Sequence, residues 1–310
     1  MTLLLTRSEL DGLLEFDPLA REIEAAFVRH GRGEGLPILR RHLAGRGGGF
    51  HAVLGGAQLE RAVFTAKVSA FFGPPQGFVA LFSAEHGELL ALLDGAYLTG
   101  MRTAAMSLVA LGALGRDGAR SILIVGAGKQ AEYHCRALRG LRPDTAFDLA
   151  IHARDPARAA GLAAAHGARV VEALDEAVAG ADVVITLTSA SGVLFPAAAV
   201  RPGATVLALG SDGPGKQELD PALLASARVV ADVRTQARES GELQHVDAEL
   251  AANAVELADV LAGSVRGRTS DDDVVVFDST GTAIQDAVAA VQLVAAARTR
   301  GLGTPVALHA

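Results

Sequence analysis

The chain has 310 residues, half of them apolar and one fifth charged, with 28 Lys and Arg against 35 Asp and Glu. A net charge of −7 with scattered basic residues excludes the electrostatic footprint of a nucleic-acid binder. A single cysteine, Cys135, excludes an intrachain disulfide and a zinc site built on cysteines.

The length leaves room for two domains of ordinary size. Only 4% of the residues are aromatic, so their cores rest on Ala, Val and Leu. The N-terminus has no basic stretch before its apolar start, and every longer apolar run is interrupted by charge. Neither a secretory signal nor a membrane span is expected, and the cytosol is the expected location.

Helical spacing runs over 17–31, with Leu19, Ile23, Ala26 and Phe27 on one face, Asp17 placed to cap it and Pro18 at its first position. From 36 to 93 the pattern becomes short strands, at 50–54, 62–71, 77–82 and 88–93. Turn-forming clusters at 45–49, 73–75 and 85–87 separate them, which predicts a largely antiparallel sheet. An Ala-, Leu- and Met-rich helix is predicted from about 99 to 114.

After Gly115 strands and helices alternate: strand 121–125, helix 129–138, strand 147–151, helix 156–166, then strands at 169–171, 182–187, 205–209, 228–231 and 274–277. Such alternation predicts a parallel sheet with helices on both faces. A last Ala-rich helix covers 282–298. The expected fold class is α/β, with a Rossmann dinucleotide-binding domain (116–281) inserted into a discontinuous α+β domain (1–115 plus 282–310) that binds substrate and dimerises.

The strongest local motif is Gly126-Ala127-Gly128-Lys129-Gln130-Ala131, a G-x-G-x-x-A turn between an apolar strand and a helix. Gly126 allows a tight turn, Gly128 lets backbone approach a pyrophosphate, and Ala131 allows close packing of helix on strand. The helix's first N–H groups would face the phosphates. An NAD site usually has an acid at the end of the second strand, about 20 residues on. Here Ala153 stands in that place, followed by Arg154 and Arg158. That favours NADP(H) over NAD(H); the plainer alternative is that both arginines are solvated residues at a helix start. Thr186, in the strand 182–187, joins the expected cofactor-binding residues.

Two charges interrupt apolar segments. Lys67 lies in the strand 62–71, where a cation suits an anionic ligand or, on an edge strand, guards against aggregation. Arg102 falls in the first turn of the predicted helix, and its fork can grip a carboxylate at two points.

At this point the chain resembles the ornithine cyclodeaminase/mu-crystallin family over roughly its last three quarters. The resemblance is carried in order by 90–95, by Leu98-Thr99-Gly100-Met101-Arg102-Thr103-Ala104-Ala105, by the Gly126–Ala131 turn, by 210–220 and by 277–286. It implies that Lys67 and Arg102 hold a substrate carboxylate with a third arginine, Arg40, although Arg41 is adjacent. It also implies that Thr103 contacts cofactor phosphates, that Asp212 transfers a proton, and that Ser279 and Thr280 line the nicotinamide end. Structural alternatives stand beside the last two: Asp212 as a turn former, and 279–281 as a cap of the last helix.

The implied activity is hydride transfer at the α-carbon of a small amino or imino acid. A ketimine or Δ1-pyrroline-2-carboxylate reductase, or an amino acid dehydrogenase, is favoured. The alternatives are a cyclodeaminase that turns ornithine into proline and ammonia with bound NAD, and a crystallin-like NADPH-binding protein without turnover. The family's dimers imply a homodimer. Members usually have a longer loop where only 71–76 stands here, and that departure argues against ornithine.

Overall fold

The computed structural model describes residues 1–36, 38–45, 48–59, 62–72, 76–140 and 147–308. Residues 46–47 of the predicted turn 45–49 and the whole predicted turn 73–75, half of the short 71–76 connection, lie outside the described residues. The chain divides into two compact units, Met1–Met106 with Thr282–Ala310, and Ser107–Gly281.

The first unit opens with strand β1 (Thr2–Leu5), followed by the helix Phe16–Arg29. That helix starts one residue before Asp17, with Glu15 at the cap position. Asp17 instead pairs with Arg21 one turn on. Pro18 is tolerated three residues in, because the first N–H groups of a helix have no partner within it. The helix runs into one wide turn, His30–Glu34, where Gly33 takes φ 81°.

A meander then follows: β2 (Ile38–Gly45), β3 (Gly48–Gln58), β4 (Ala62–Ala70), β5 (Gln76–Ser83) and β6 (Leu89–Asp94). Neighbours within it are antiparallel, but β1 pairs with β6 in parallel. Along β4, Val63, Thr65 and Lys67 are buried while their neighbours are half-buried, the period-two signature of a sheet with one covered face.

The helix Gly95–Leu114 begins a full turn earlier than its Ala-rich stretch implies, which puts Arg102 about two turns in and not in the first turn. Its 20 residues are long and apolar enough to cross a bilayer, against the expectation that no segment reaches that length, yet 72% of its most apolar stretch is buried within the fold. It is a core helix.

The second unit is an eight-stranded, wholly parallel sheet. Its strands are β7 (Ser121–Val125), β8 (Asp148–His152), β9 (Arg169–Val170), β10 (Val183–Thr186), β11 (Thr205–Ala208), β12 (Arg228–Ala231), β13 (Val255–Glu256) and β14 (Val275–Asp278), in the order β13-β12-β14-β11-β10-β7-β8-β9. β10, β11 and β14 are buried throughout, as strands covered by helices on both faces must be. Leu123, Val125, Val184, Val206 and Val276 belong to its core.

Asp182 fastens the strand starts. Its carboxylate accepts from the backbone of Arg120 and Ser121, the Ser121 hydroxyl, Arg116 and Arg201. Partial burial works against the charge, but these donors outweigh it and hold the carboxyl well below the usual range.

The chain then returns to the first unit through the helix Ala283–Thr299, packed on β3, β4 and β5 and on the helix Phe16–Arg29. It ends in β15 (Thr304–Val306) beside β1, giving the sheet order β15-β1-β6-β5-β4-β3-β2.

Candidate active site

Among the described residues of the first unit, three cations, Arg40, Lys67 and Arg102, are buried, and the sheet register explains how two of them are presented. Arg40 pairs with Val53, Val53 with Lys67, and Lys67 with Val79, so Arg40 and Lys67 share the face on which the last helix packs. Lys67 is only 6% exposed, on an interior strand, so the edge-guard alternative is excluded.

Its ammonium sits 3.2 and 3.1 Å from the two oxygens of Asp286 and 3.3 Å from Thr99 Oγ1. The Arg102 Nε lies 3.1 Å from the same carboxylate, and one terminal nitrogen donates to Gln285 Oε1 at 2.6 Å. Two buried cations therefore share one buried carboxylate. Burial drops the Lys67 ammonium to about 8, with Asp286 opposing that drop and the Arg102 and Arg40 charges adding to it. Gln285 Nε2, a buried donor, finds no hydrogen-bond partner among the described residues. Surplus donors and surplus positive charge in a buried place are what an incoming carboxylate needs. Thr103 follows Arg102 in the same helix and is also buried.

In the second unit β7 leads through the Gly126–Ala131 turn into the helix Lys129–Gly140. Gly126 takes φ 125°, and a side chain there would meet the Leu187 carbonyl oxygen at 2.8 Å, so only glycine fits. A Cβ at Gly128 would meet nothing within 4 Å, leaving open space over the turn, while Ala131 is fully buried.

Beside the turn is a cavity of about 340 Å³, bounded by Gly126, Ala127 and Gly128, by Ala153, Arg154 and Arg158 after β8, and by 187–190 after β10. Asp155 also borders it, but its carboxylate accepts from the N–H groups of Ala157 and Arg158 and caps the next helix. The Arg158 Nε is 3.5 Å from that same acid. Lys129 is exposed at the helix start, and Gln130 Oε1 is buried without a partner among the described residues. The open glycine turn, the two arginines and the helix start fit a dinucleotide, whose phosphates they would hold.

At the C-terminal ends of the strands, Asp212 sits in the turn after β11 with a side chain about one third exposed, paired with Lys216. The Thr186 hydroxyl donates to Glu218 at 2.6 Å. The hydroxyls of Ser279 and Thr280 donate to Asp232, and the Gly281 N–H donates to the same carboxylate at 2.7 Å.

Sequence reasoning missed this group of acids. Glu218 also accepts from Thr188 and Gly210, Glu242 from the backbone of Glu218 and Leu219, and Asp278 from Leu243. Burial raises all four, Glu242 to about 7 and Asp278 well above the carboxylate range, against the N–H and hydroxyl donors that lower them. Asp286, Gln285 and Lys216 were missed as well. Asp286 had one signal in the chain: an acid within an otherwise apolar helix whose opposite number, Lys67, stands equally alone in its strand.

Fold and site together define a dinucleotide-fold α/β protein with a Rossmann-type unit and a separate cationic cluster. The match to the model of the ornithine cyclodeaminase/mu-crystallin family spans residues 67–300, and the chain belongs to that family. It is 32% identical to the iminosuccinate reductase of Paracoccus denitrificans, over 98% of this chain and 99% of that protein. It is likewise 32% identical to the L-lysine cyclodeaminase of Streptomyces rapamycinicus, over 94% of this chain and 90% of that one. Among solved structures, an archaeal alanine dehydrogenase dimer with bound NAD superposes with a TM-score of 0.89 at 28% identity, covering 99% of each chain. These relatives are enzymes, and they comprise a reductase, a cyclodeaminase and a dehydrogenase.

Proposed function

We propose that this chain is a nicotinamide-dependent enzyme that moves a hydride to or from the α-carbon of a small amino or imino acid, as an imino acid reductase or amino acid dehydrogenase. The observation that carries this reading is the pair Lys67 and Arg102 on the single carboxylate of Asp286. When bound, the dinucleotide supplies or accepts the hydride.

The rest is done by side chains. Lys67 and Arg102, with Arg40 as third cation, hold the substrate's α-carboxylate. Asp286 and Gln285 keep the two grips aimed before substrate arrives, and that orientation is a large part of the rate gain. Asp212 gives or takes the proton on the substrate nitrogen, and Lys216 holds its carboxylate in place. Asp232, by gathering Ser279, Thr280 and Gly281, fixes the loop assigned to the nicotinamide end.

NADP(H) is the favoured cofactor over NAD(H). Support comes from Arg154 and Arg158 bordering the cavity, and from the engagement of Asp155 as a helix cap. The assembly proposed is a homodimer, supported by the apolar outer face of the first unit's sheet, where Leu39, Leu43, Phe50 and Phe78 are exposed.

The rival of another class is a binding protein without turnover, which has no use for a proton-transfer group. Asp212→Asn separates the two, because it keeps the shape and the turn but cannot carry the proton. We expect kcat to fall by about 10²–10⁴ with ligand affinities little changed. Steady-state nucleotide oxidation with 2-oxo acids and ammonia, and with cyclic ketimines, measures it. A variant with wild-type turnover would return Asp212 to a turn former.

A further inference from the structure

We propose that the start of the last helix, through the hydroxyl of Thr282 and the side-chain amide of Gln285, binds the substrate's α-carboxylate together with Lys67 and Arg102. This rests on the reading of that pair as the grip on the carboxylate.

The helix Ala283–Thr299 has Thr282 at its cap position and Gln285 at its third residue. At that spacing a threonine hydroxyl and a glutamine side chain ordinarily close the first turn on each other's backbone N–H groups. Here the box is not made. The Thr282 side chain caps no N–H, and its Oγ1 is buried without a hydrogen-bond partner among the described residues. Gln285 turns its Oε1 to Arg102 at 2.6 Å, and its Nε2 has no partner among the described residues either. Both residues are 0% exposed.

Arg102 decides which end of the amide is left over. A guanidinium only donates, so the oxygen must be the atom that meets it, and the NH2 remains as a donor. A buried donor left unmade costs its desolvation with nothing in return, which is why most are paired. Two of them stand at one helix start beside a cation, and together they call for an acceptor.

The charges say which kind. Lys67 and Arg102 outnumber Asp286 by one positive charge, and the start of a 17-residue helix adds the positive end of its dipole. Lys67 already donates to Asp286 and Thr99, and Arg102 to Gln285. A neutral acceptor would leave the excess charge standing. A carboxylate removes it, and its two oxygens offer about four acceptor sites. The cations then supply charge, while Thr282 and Gln285 supply directed donors that fix the plane of the carboxylate and so the face of the α-carbon offered to the hydride.

Calorimetric titration of the full chain with pyruvate, and with pyruvamide as its uncharged counterpart, tests this. Thr282→Val keeps the shape and removes a buried hydroxyl. It should bind pyruvate about tenfold less tightly with a melting temperature no lower than the wild type's, while Thr282→Ser keeps most of the affinity. Gln285→Glu turns the donor into an acceptor, so pyruvate affinity should fall about tenfold or more and pyruvamide affinity should rise. Unchanged pyruvate affinity in Thr282→Val overturns the proposal, as does an equal loss in Thr282→Val and Thr282→Ser with lowered melting temperatures. So does pyruvamide binding that stays at the wild-type level in Gln285→Glu, because the added charge would then act only from a distance. Arg102→Ala separates this from the reading beneath it. Pyruvate binding lost there but kept in Thr282→Val and Gln285→Glu removes only Thr282 and Gln285 from the site; binding kept in all three overturns the carboxylate grip itself.

Discussion

Lys67 illustrates how one buried charge sets opposite pH responses for activity and stability. In the native chain its ammonium gives up its proton at about 8, whereas the unfolded side chain holds it to about 10.5. As pH rises through 8 the grip on a carboxylate weakens, and kcat/KM should fall. Between about 8 and 10.5 the unfolded chain binds a proton that the native chain has released, so this group's contribution to stability rises with pH across that window. Urea midpoints at pH 7.5 and 9.5, compared between the wild type and Lys67→Met, isolate the effect; equal pH dependence in the two would show that Lys67 does not titrate there. Lys67 and Arg102 were legible in the sequence because a charge inside an apolar run demands a partner. Asp286 was passed over, since an acid in the first turn of a helix is ordinary and only the apolar run around it sets it apart. Glu218, Glu242, Asp278 and Asp232 were invisible for another reason: the N–H groups they satisfy become neighbours only once the strand ends are assembled.

At the scale of elements, the strand–turn–helix around Gly126 could be read because its requirements are local: a residue at positive φ, an open approach and a small packing residue. The helix Pro156–His166 was legible from the strand–helix alternation, and the structure adds what opens it, Asp155 as cap followed by Pro156 at the first position. The short strands β1, β13 and β15 were not, because two to four residues carry no periodicity and depend on a neighbouring strand for their existence. The β8 connection carries the cofactor prediction. Removing a charge-assisted phosphate contact costs about 1.5–3 kcal/mol, so Arg154→Ala should weaken NADPH binding by roughly tenfold or more and barely alter NADH. Fluorescence titration with both nucleotides measures this; parallel losses for the two would remove Arg154 from the 2′-phosphate.

For the whole molecule, the outer face of the first unit's sheet presents Leu43 opposite Phe50 and, further across, Phe78 opposite Val68, with Leu43 62% and Phe78 47% exposed. A contiguous apolar sheet face of this kind is a protein interface or an aggregation hazard. If the proposed dimer forms through this face, Phe50→Glu with Phe78→Glu should convert it into a monomer in sedimentation velocity; an unchanged sedimentation coefficient would place the contact elsewhere. The interrupted course of the first unit has a further consequence, in time. The Lys67–Asp286 pair joins residues 219 positions apart, with the whole of Ser107–Gly281 between the two segments of that unit. At a synthesis rate of about 5–20 residues per second, Lys67 leaves the ribosome roughly ten to forty seconds before its counter-charge exists. The inserted unit, contiguous in sequence, is then complete while the sheet still lacks the helix that covers its inner face. A ribosome that stalls before residue 283 leaves a finished inserted unit tethered to an open sheet on which Lys67 and Arg102 still lack Asp286.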